Sequence, residues 1–342
     1  MKTSQAARIL RSAIQQGENI LLVGSRGIGK TEVVCQQAHA LGMDISVSHP
    51  GTENPTNAQG FPWLSPDSDH ASFKPYGVLW DVLQSTQPHV WFWDDLGQAP
   101  SAVQAGYMQW AQGRRVGEHR LPDHVRIVAA SNDRQHGANA SMLEPLKDRF
   151  TILSVEAQWE DWITWAAEHG VHEDVMGFIA FQPALLSPEE KKPNMENSPT
   201  PRGWHGVSKW CQTPNMNRED LLYATTGRVG PGAATEFLAF RQLKDKLPDL
   251  DNWIKHPDTV VMPPERNVQY AAGAGLLSRT DPTTWPNVAK ILPKFHEVGS
   301  IEVATFVLGA VLRKDKSLAE TAAFSKLLDT PAGECLWAAV GV

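Results

Sequence analysis

Two short stretches concentrate the residues of this chain that could do chemistry. The first is "GSRGIGKT", residues 24–31, which follows the apolar run "NILLV" and leads into "EVVCQQAHALG". Glycines let backbone N–H groups turn toward the oxygens of a phosphate, and a helix N-terminus adds a favourable dipole. The stretch fits the GxxxxGK[ST] phosphate-binding pattern in full, in the strand–turn–helix context that pattern requires. Gly24, Ser25, Arg26, Gly27, Ile28 and Gly29 are therefore the candidate cradle. Lys30 would reach the β and γ phosphates, and Thr31 would place its hydroxyl on Mg²⁺. A purely structural glycine turn would leave the Lys-Thr pair unexplained.

The second stretch is "HVWFWDDLGQAP", residues 89–100, an apolar run that ends abruptly in Asp94 and Asp95. Adjacent carboxylates repel and are hard to bury unless a cation compensates them. In P-loop NTPases a strand elsewhere in the sheet ends in an acid that holds Mg²⁺. Asp94 is placed for that role, and Asp95 for polarising an attacking water.

The elements that must position these groups read as alternating strands and helices. "SQAARILRSAIQQG" has helical spacing and closes on Gly17. "NILLVG" reads as a buried strand, followed by a helix that stops near Gly42, and "DISVSH" as a second strand. The acidic stretch is the third, and a helix follows Pro100 with Val103, Tyr107, Trp110 and Ala111 on one side. "VRIVAASND" and "FTILSV" supply a fourth and a fifth strand. Strands that are nearly all apolar and alternate with helices imply a parallel sheet covered on both faces. After about residue 156 the patterns are helical, as in "QWEDWITWAAEH" and "SIEVATFVLGAVLRK", and are interrupted by a proline-broken loop over 182–203.

Further matches occur in order along the chain. "WFWDDLGQAP" resembles the Walker B region of AAA+ ATPases, and of their MoxR branch in particular. "NAQGFP", residues 57–62, is similar to the segment before that branch's helix-2 insert, and "GRRVGEHRLPDHVRIVAASN" to its pre-sensor hairpin and sensor 1 strand. The resemblance spans roughly residues 1–240. It implies an α/β fold: an ASCE-type P-loop core with a parallel five-stranded sheet flanked by helices (1–155), an α-helical AAA+ lid (156–249), and a further mostly helical region (250–342). It also implies residue roles. Asn132 would be sensor 1, Arg149 in "EPLKDRF" the arginine finger, and Arg202 in "TPRGW" the sensor 2 arginine reaching nucleotide in its own subunit. The implied cofactors are ATP and Mg²⁺. The implied partners are copies of the same chain in a ring, expected to be hexameric, and a protein client such as one with a von Willebrand factor A domain.

The chain departs from the family at Asp95, where Glu is usual. The shorter side chain retracts the carboxylate by about 1 Å, and misplacement on that scale costs on the order of 100-fold in rate. Slow hydrolysis is expected unless the backbone carries Asp95 forward. A finger at Arg149 acts on a neighbour's nucleotide, so a lone subunit would be nearly inert. Two alternatives stand beside a remodelling ATPase: a nucleic-acid motor of the RuvB or McrB kind, and a nucleotide switch with negligible hydrolysis.

Bulk properties narrow the choice. The 342 residues are 42% hydrophobic and 20% charged, an ordinary globular composition, with a net charge of −7. That balance argues against a dominant grip on nucleic acid or anionic lipid, although Arg114, Arg115, His119 and Arg120 could form a local basic hairpin. Three scattered cysteines without a CxxC favour a reducing compartment, and no apolar run approaches the roughly 20 residues of a membrane helix. A cytoplasmic protein is expected. The absence of an NKxD guanine reader leans toward ATP. "GRVGPG", residues 227–232, follows no strand and is no second nucleotide site, and His169 and His172, three apart on a presumed helix, lack a third ligand. The 13 tryptophans are expected to serve mainly in packing.

Overall fold

The computed structural model describes residues 1–66, 69–132, 142–188, 196–242 and 246–340. The chain forms two compact units, Met1–Glu156 and Ala157–Val342. The first begins with α1 (Thr3–Gln16), β1 (Ile20–Val23), α2 (Lys30–Ala40) and β2 (Asp44–Ser48). Next come α3 (Pro55–Gln59), the antiparallel hairpin β3 (Phe61–Leu64) and β4 (Ala71–Lys74), and α4 (Gly77–Gln84). The unit ends with β5 (His89–Trp93), α5 (Ser101–Gly113), the short hairpin β6 (Arg115–Val116) and β7 (His119–Arg120), β8 (Val125–Ser131), α6 (Glu144–Lys147) and β9 (Thr151–Ser154).

Five strands form one parallel sheet in the order β2-β5-β8-β1-β9. They are the five apolar runs read from the sequence. The inner strands β1, β5 and β8 are buried on both faces, since alternate residues point to opposite sides, whereas the edge strands β2 and β9 are largely exposed or half-buried. Leu21, Trp91, Trp93, Ile127 and Ala129 share a core with Leu79 of α4 and with Val103, Tyr107 and Trp110 of α5. Ile20, Leu22, Val90, Phe92 and Val128 alternate with them and are equally buried. At the centre Trp91 meets Trp93 edge-on at 5.2 Å between ring centroids, and Trp110 at 5.7 Å. These tryptophans are packing residues, as expected.

The sheet order places β8 between β1 and β5, so three consecutive strand ends lie side by side: those of β5, β8 and β1. Such C-terminal ends are where open α/β sheets hold ligands. The unit is an α/β fold, a five-stranded parallel sheet flanked by helices. Two parts of this unit lie outside the sequence reading, namely α4 and the β3–β4 ribbon. All four residues of β3, "FPWL", are exposed, so no burial requirement imposes an apolar–polar alternation on them.

The second unit is helical throughout its described residues: α7 (Trp159–Glu168), α8 (Glu173–Phe181), α9 (Pro201–Cys211), α10 (Arg218–Val229), α11 (Pro231–Arg241), α12 (Leu250–Lys255), α13 (Arg266–Ser278), α14 (Trp285–Glu297), α15 (Ile301–Lys314), α16 (Ala322–Leu328) and α17 (Pro331–Val340). Trp204 and Phe237 from before residue 250, and Trp285, Phe295 and Val307 from after it, belong to one hydrophobic core. Leu250 and Trp253 are part of that core themselves. His169 and His172 do not share a helix. His169 ends α7 and stacks on Trp165, while His172 caps α8 by accepting from Asp174 N through Nδ1 at 3.1 Å. Residues 227–229 lie inside α10, and Gly230 alone separates it from α11. No helix among the described residues is long and apolar enough to cross a membrane.

Candidate functional site

The loop after β1 is shaped by two glycines for two different reasons. Gly29, at the entry to α2, has φ +97°, a left-handed backbone that other residues rarely adopt. Gly24 has no room for a side chain, because a Cβ there would lie 2.3 Å from the Val155 carbonyl oxygen. Val155 follows β9, so the start of the loop is pressed against the neighbouring strand's end. Of the remaining cradle residues, Ile28 is buried beneath the loop, Ser25 and Gly27 are half-buried, and Arg26 is exposed.

Lys30 is only 8% exposed, at the first position of α2. Its ammonium donates to Gly24 O (2.8 Å), Ser25 O (2.9 Å) and Asn132 Oδ1 (2.8 Å). Asn132 follows β8, and its Nδ2 donates to Asp95 Oδ1 at 3.1 Å. Thr31 Oγ1 donates to Asp94 Oδ2 at 2.8 Å, while Asp94 Oδ1 accepts from Asp95 N at 3.1 Å. Five residues from three strand ends thus form a continuous hydrogen-bonded set.

The two acids are presented differently. Asp94 N donates to Ser48 O, which continues the ladder of β2 and β5 one residue past the strand and fixes where the Asp94 side chain leaves the sheet. Asp95 takes a left-handed conformation with φ +57°, which swings its side chain off the strand's line and toward Asn132. Asp tolerates that conformation better than Glu, because its short polar side chain bonds locally. The negative field of Asp94 reaches α2. Burial, with help from the Glu32 and Asp94 carboxylates, pushes the Cys35 thiol up from its ordinary value. Behind the acids, Tyr107 donates to Glu53 Oε2, and burial together with that carboxylate raises the phenol.

Arg149 lies just past α6, half-buried, with Nη1 donating to Pro145 O at 2.5 Å. Its own carbonyl accepts from Asn19 Nδ2 at 3.2 Å, at the foot of β1. It is not part of the hydrogen-bonded set around Lys30. Arg202 belongs to the second unit, exposed in the first turn of α9, whose N-cap Thr200 accepts from Gly203 N. In the basic hairpin Arg114 donates to Pro122 O and Val125 O at 2.8 Å each, so it braces the chain from within. Arg120 pairs with Asp123 at 3.1 Å, and Arg115 donates to Gly117 O.

One residue near the site escaped the sequence reading. Gln104 of α5 is fully buried and bonded at both ends of its amide. The signal was there: a lone polar residue beside Val103, Tyr107 and Ala111 on the inward side of an amphipathic helix.

Residues 19–150 match the family model of the AAA domain, dynein-related subfamily. A search of curated proteins found no match. Similar solved structures include the Thermotoga maritima RuvB Holliday junction branch migration motor, at 16% identity over 80% of each chain with a TM-score of 0.42. They also include Brucella abortus NtrX in complex with ADP, at 17% identity over 92% of this chain and 68% of that one, with a TM-score of 0.38.

Proposed function

We propose that the chain binds and hydrolyses ATP with Mg²⁺, and that it works in a ring, expected to be a hexamer, to remodel or mature a partner protein. The observation that carries the ATPase reading is the convergence of Lys30, Thr31, Asp94, Asp95 and Asn132 at three adjacent strand ends. The donor set suits the ligands. A buried ammonium among the Gly24, Ser25 and Asn132 oxygens is placed to meet an incoming anion, and a hydroxyl beside a carboxylate is hard oxygen donation of the kind Mg²⁺ takes. Thr31 and Asp94 would hold the metal, whose charge offsets that of the triphosphate when bound.

The chain's own residues then divide the work. Lys30 can exchange the Gly24 and Ser25 carbonyls for phosphate oxygens without leaving its pocket. Asp95 orients the attacking water and accepts its proton, and Asn132 holds Asp95 by one end of its amide. The left-handed backbone at Asp95 is a route by which an aspartate reaches a position that glutamate reaches in relatives. Arg149 serves a neighbour's nucleotide, and Arg202 its own. The remodelling role, and a client with a von Willebrand factor A domain, follow from the MoxR resemblance. Of the basic hairpin that the nucleic-acid motor would use, Arg114 is engaged within the unit, while Arg115 and Arg120 remain exposed.

The test is phosphate release by the purified chain. Turnover should require Mg²⁺ and fall to background in Lys30→Ala, whereas equal rates in the native and Lys30→Ala proteins would sink the reading. Tight ATP binding with no phosphate released over hours would instead select the nucleotide switch.

A further inference from the structure

The acidic turn and the segment carrying Arg149 are separate in sequence, and one side chain joins them. Gln104 lies on the first turns of α5, with no exposed surface. Its Nε2 donates to Ala99 O at 2.9 Å, at the end of the turn that begins with Asp94 and Asp95. Its Oε1 accepts from Leu143 N at 2.9 Å, the residue that caps α6. Arg149 follows α6 at once, tied to it by Arg149 N donating to Leu146 O. An amide is planar and rigid. Bonded at both ends in a dry interior, it passes a shift of one partner on to the other, because either bond left unmade would strand a buried polar group.

A second contact runs alongside. Phe150, next after Arg149, meets the ring of Trp93 edge-on at 5.9 Å, and Trp93 directly precedes Asp94. The segment with Arg149 is thus held on both sides of the acidic pair, by an amide beyond it and an aromatic contact before it.

We propose that Gln104 is a positioning residue that sets Arg149 according to the state of the acidic turn in the same subunit. A subunit would then offer its arginine to the neighbour in register with its own nucleotide. The proposal rests on the reading that Arg149 serves a neighbouring site.

The experiment uses the full chain as native protein, Gln104→Met, Arg149→Ala and the double variant. Met keeps the volume of Gln and removes both hydrogen bonds. Affinity for Mg-ATP is read by calorimetry and turnover at saturating ATP. Gln104→Met should leave the Kd within about twofold, since Gln104 touches no candidate ligand group, and lower kcat tenfold or more. In the Arg149→Ala background it should cost nothing further, because two residues acting as one unit are not additive. Equal proportional losses in both backgrounds, or a Kd that weakens in step with kcat, would overturn the coupling and leave the ATPase reading intact. An Arg149→Ala protein as active as native removes the finger reading itself, and the coupling with it. Should Gln104→Met not fold, hydrogen exchange of native residues 142–150 decides. Protection that changes on adding a magnesium-loaded, non-hydrolysable ATP analogue supports the coupling, and unchanged protection in the presence of demonstrated binding overturns it.

Discussion

At the residue scale the informative position is Asp95. Its carboxylate already reaches Asn132 at 3.1 Å from a left-handed backbone, so the site is built around the shorter acid. Installing the longer acid should therefore harm it. Asp95→Glu pushes the carboxylate about 1 Å past its partner and is expected to lower kcat by on the order of 100-fold. A rise in turnover would show that the native rate is limited by reach. Lys30 makes a related point. Its ammonium bridges the cradle and Asn132, so a phosphate that displaces the loop carbonyls leaves Lys30 tied to the far side of the site.

At the scale of elements, the loop after β1 depends on its contact with the end of β9. Gly24→Ala sets a methyl against the Val155 carbonyl, a backbone atom that cannot turn aside. We expect a loss of about 1–3 kcal/mol, seen as a Tm lower by several degrees, with nucleotide affinity falling as well. In the second unit the turn before α14 is set by Asp281. Bonds from the Thr283 hydroxyl and from the Thr284 and Thr283 amides hold its carboxyl down, from 3.8 to about 2. The folded value lies below the unfolded one, so this stabilisation is complete above about 4 and is lost as pH falls toward about 2. Thermal melts of native protein and Asp281→Ala should differ near neutrality and draw together in acid.

How far the sequence discloses the structure follows from the same physics. The inner strands β1, β5 and β8 were legible because double-sided burial demands nearly unbroken apolar runs, whereas the β3–β4 ribbon, exposed along the whole of β3, carries no such signature. Lys30, Thr31 and Asp94 were legible because phosphate and metal chemistry fixes both residue type and spacing. Gln104 showed only as a polar residue on an apolar helix face, since its meaning lies in two backbone atoms, at Ala99 and Leu143, that only the fold brings to it.

For the whole molecule the question is whether one subunit suffices. Arg149 lies outside the hydrogen-bonded set around Lys30, and on the proposed reading of it as a trans-acting finger the active unit is a junction between copies. Lys30→Ala and Arg149→Ala proteins should each be inert alone and recover activity when mixed. A random equal mixture should reach up to about a quarter of native turnover, the share of head-to-tail junctions that pair a good finger with a good cradle. Two inactive proteins that stay inactive together would place every needed group within one chain.

The aromatic cluster under the acidic pair has a practical side. Trp93 is a wholly buried indole one peptide bond from Asp94, ringed by Trp91, Tyr107 and Phe150. Its light emission depends on how those rings and the nearby charges are set. The molecule therefore carries a built-in optical gauge beside the very groups whose movements matter, with no dye to attach.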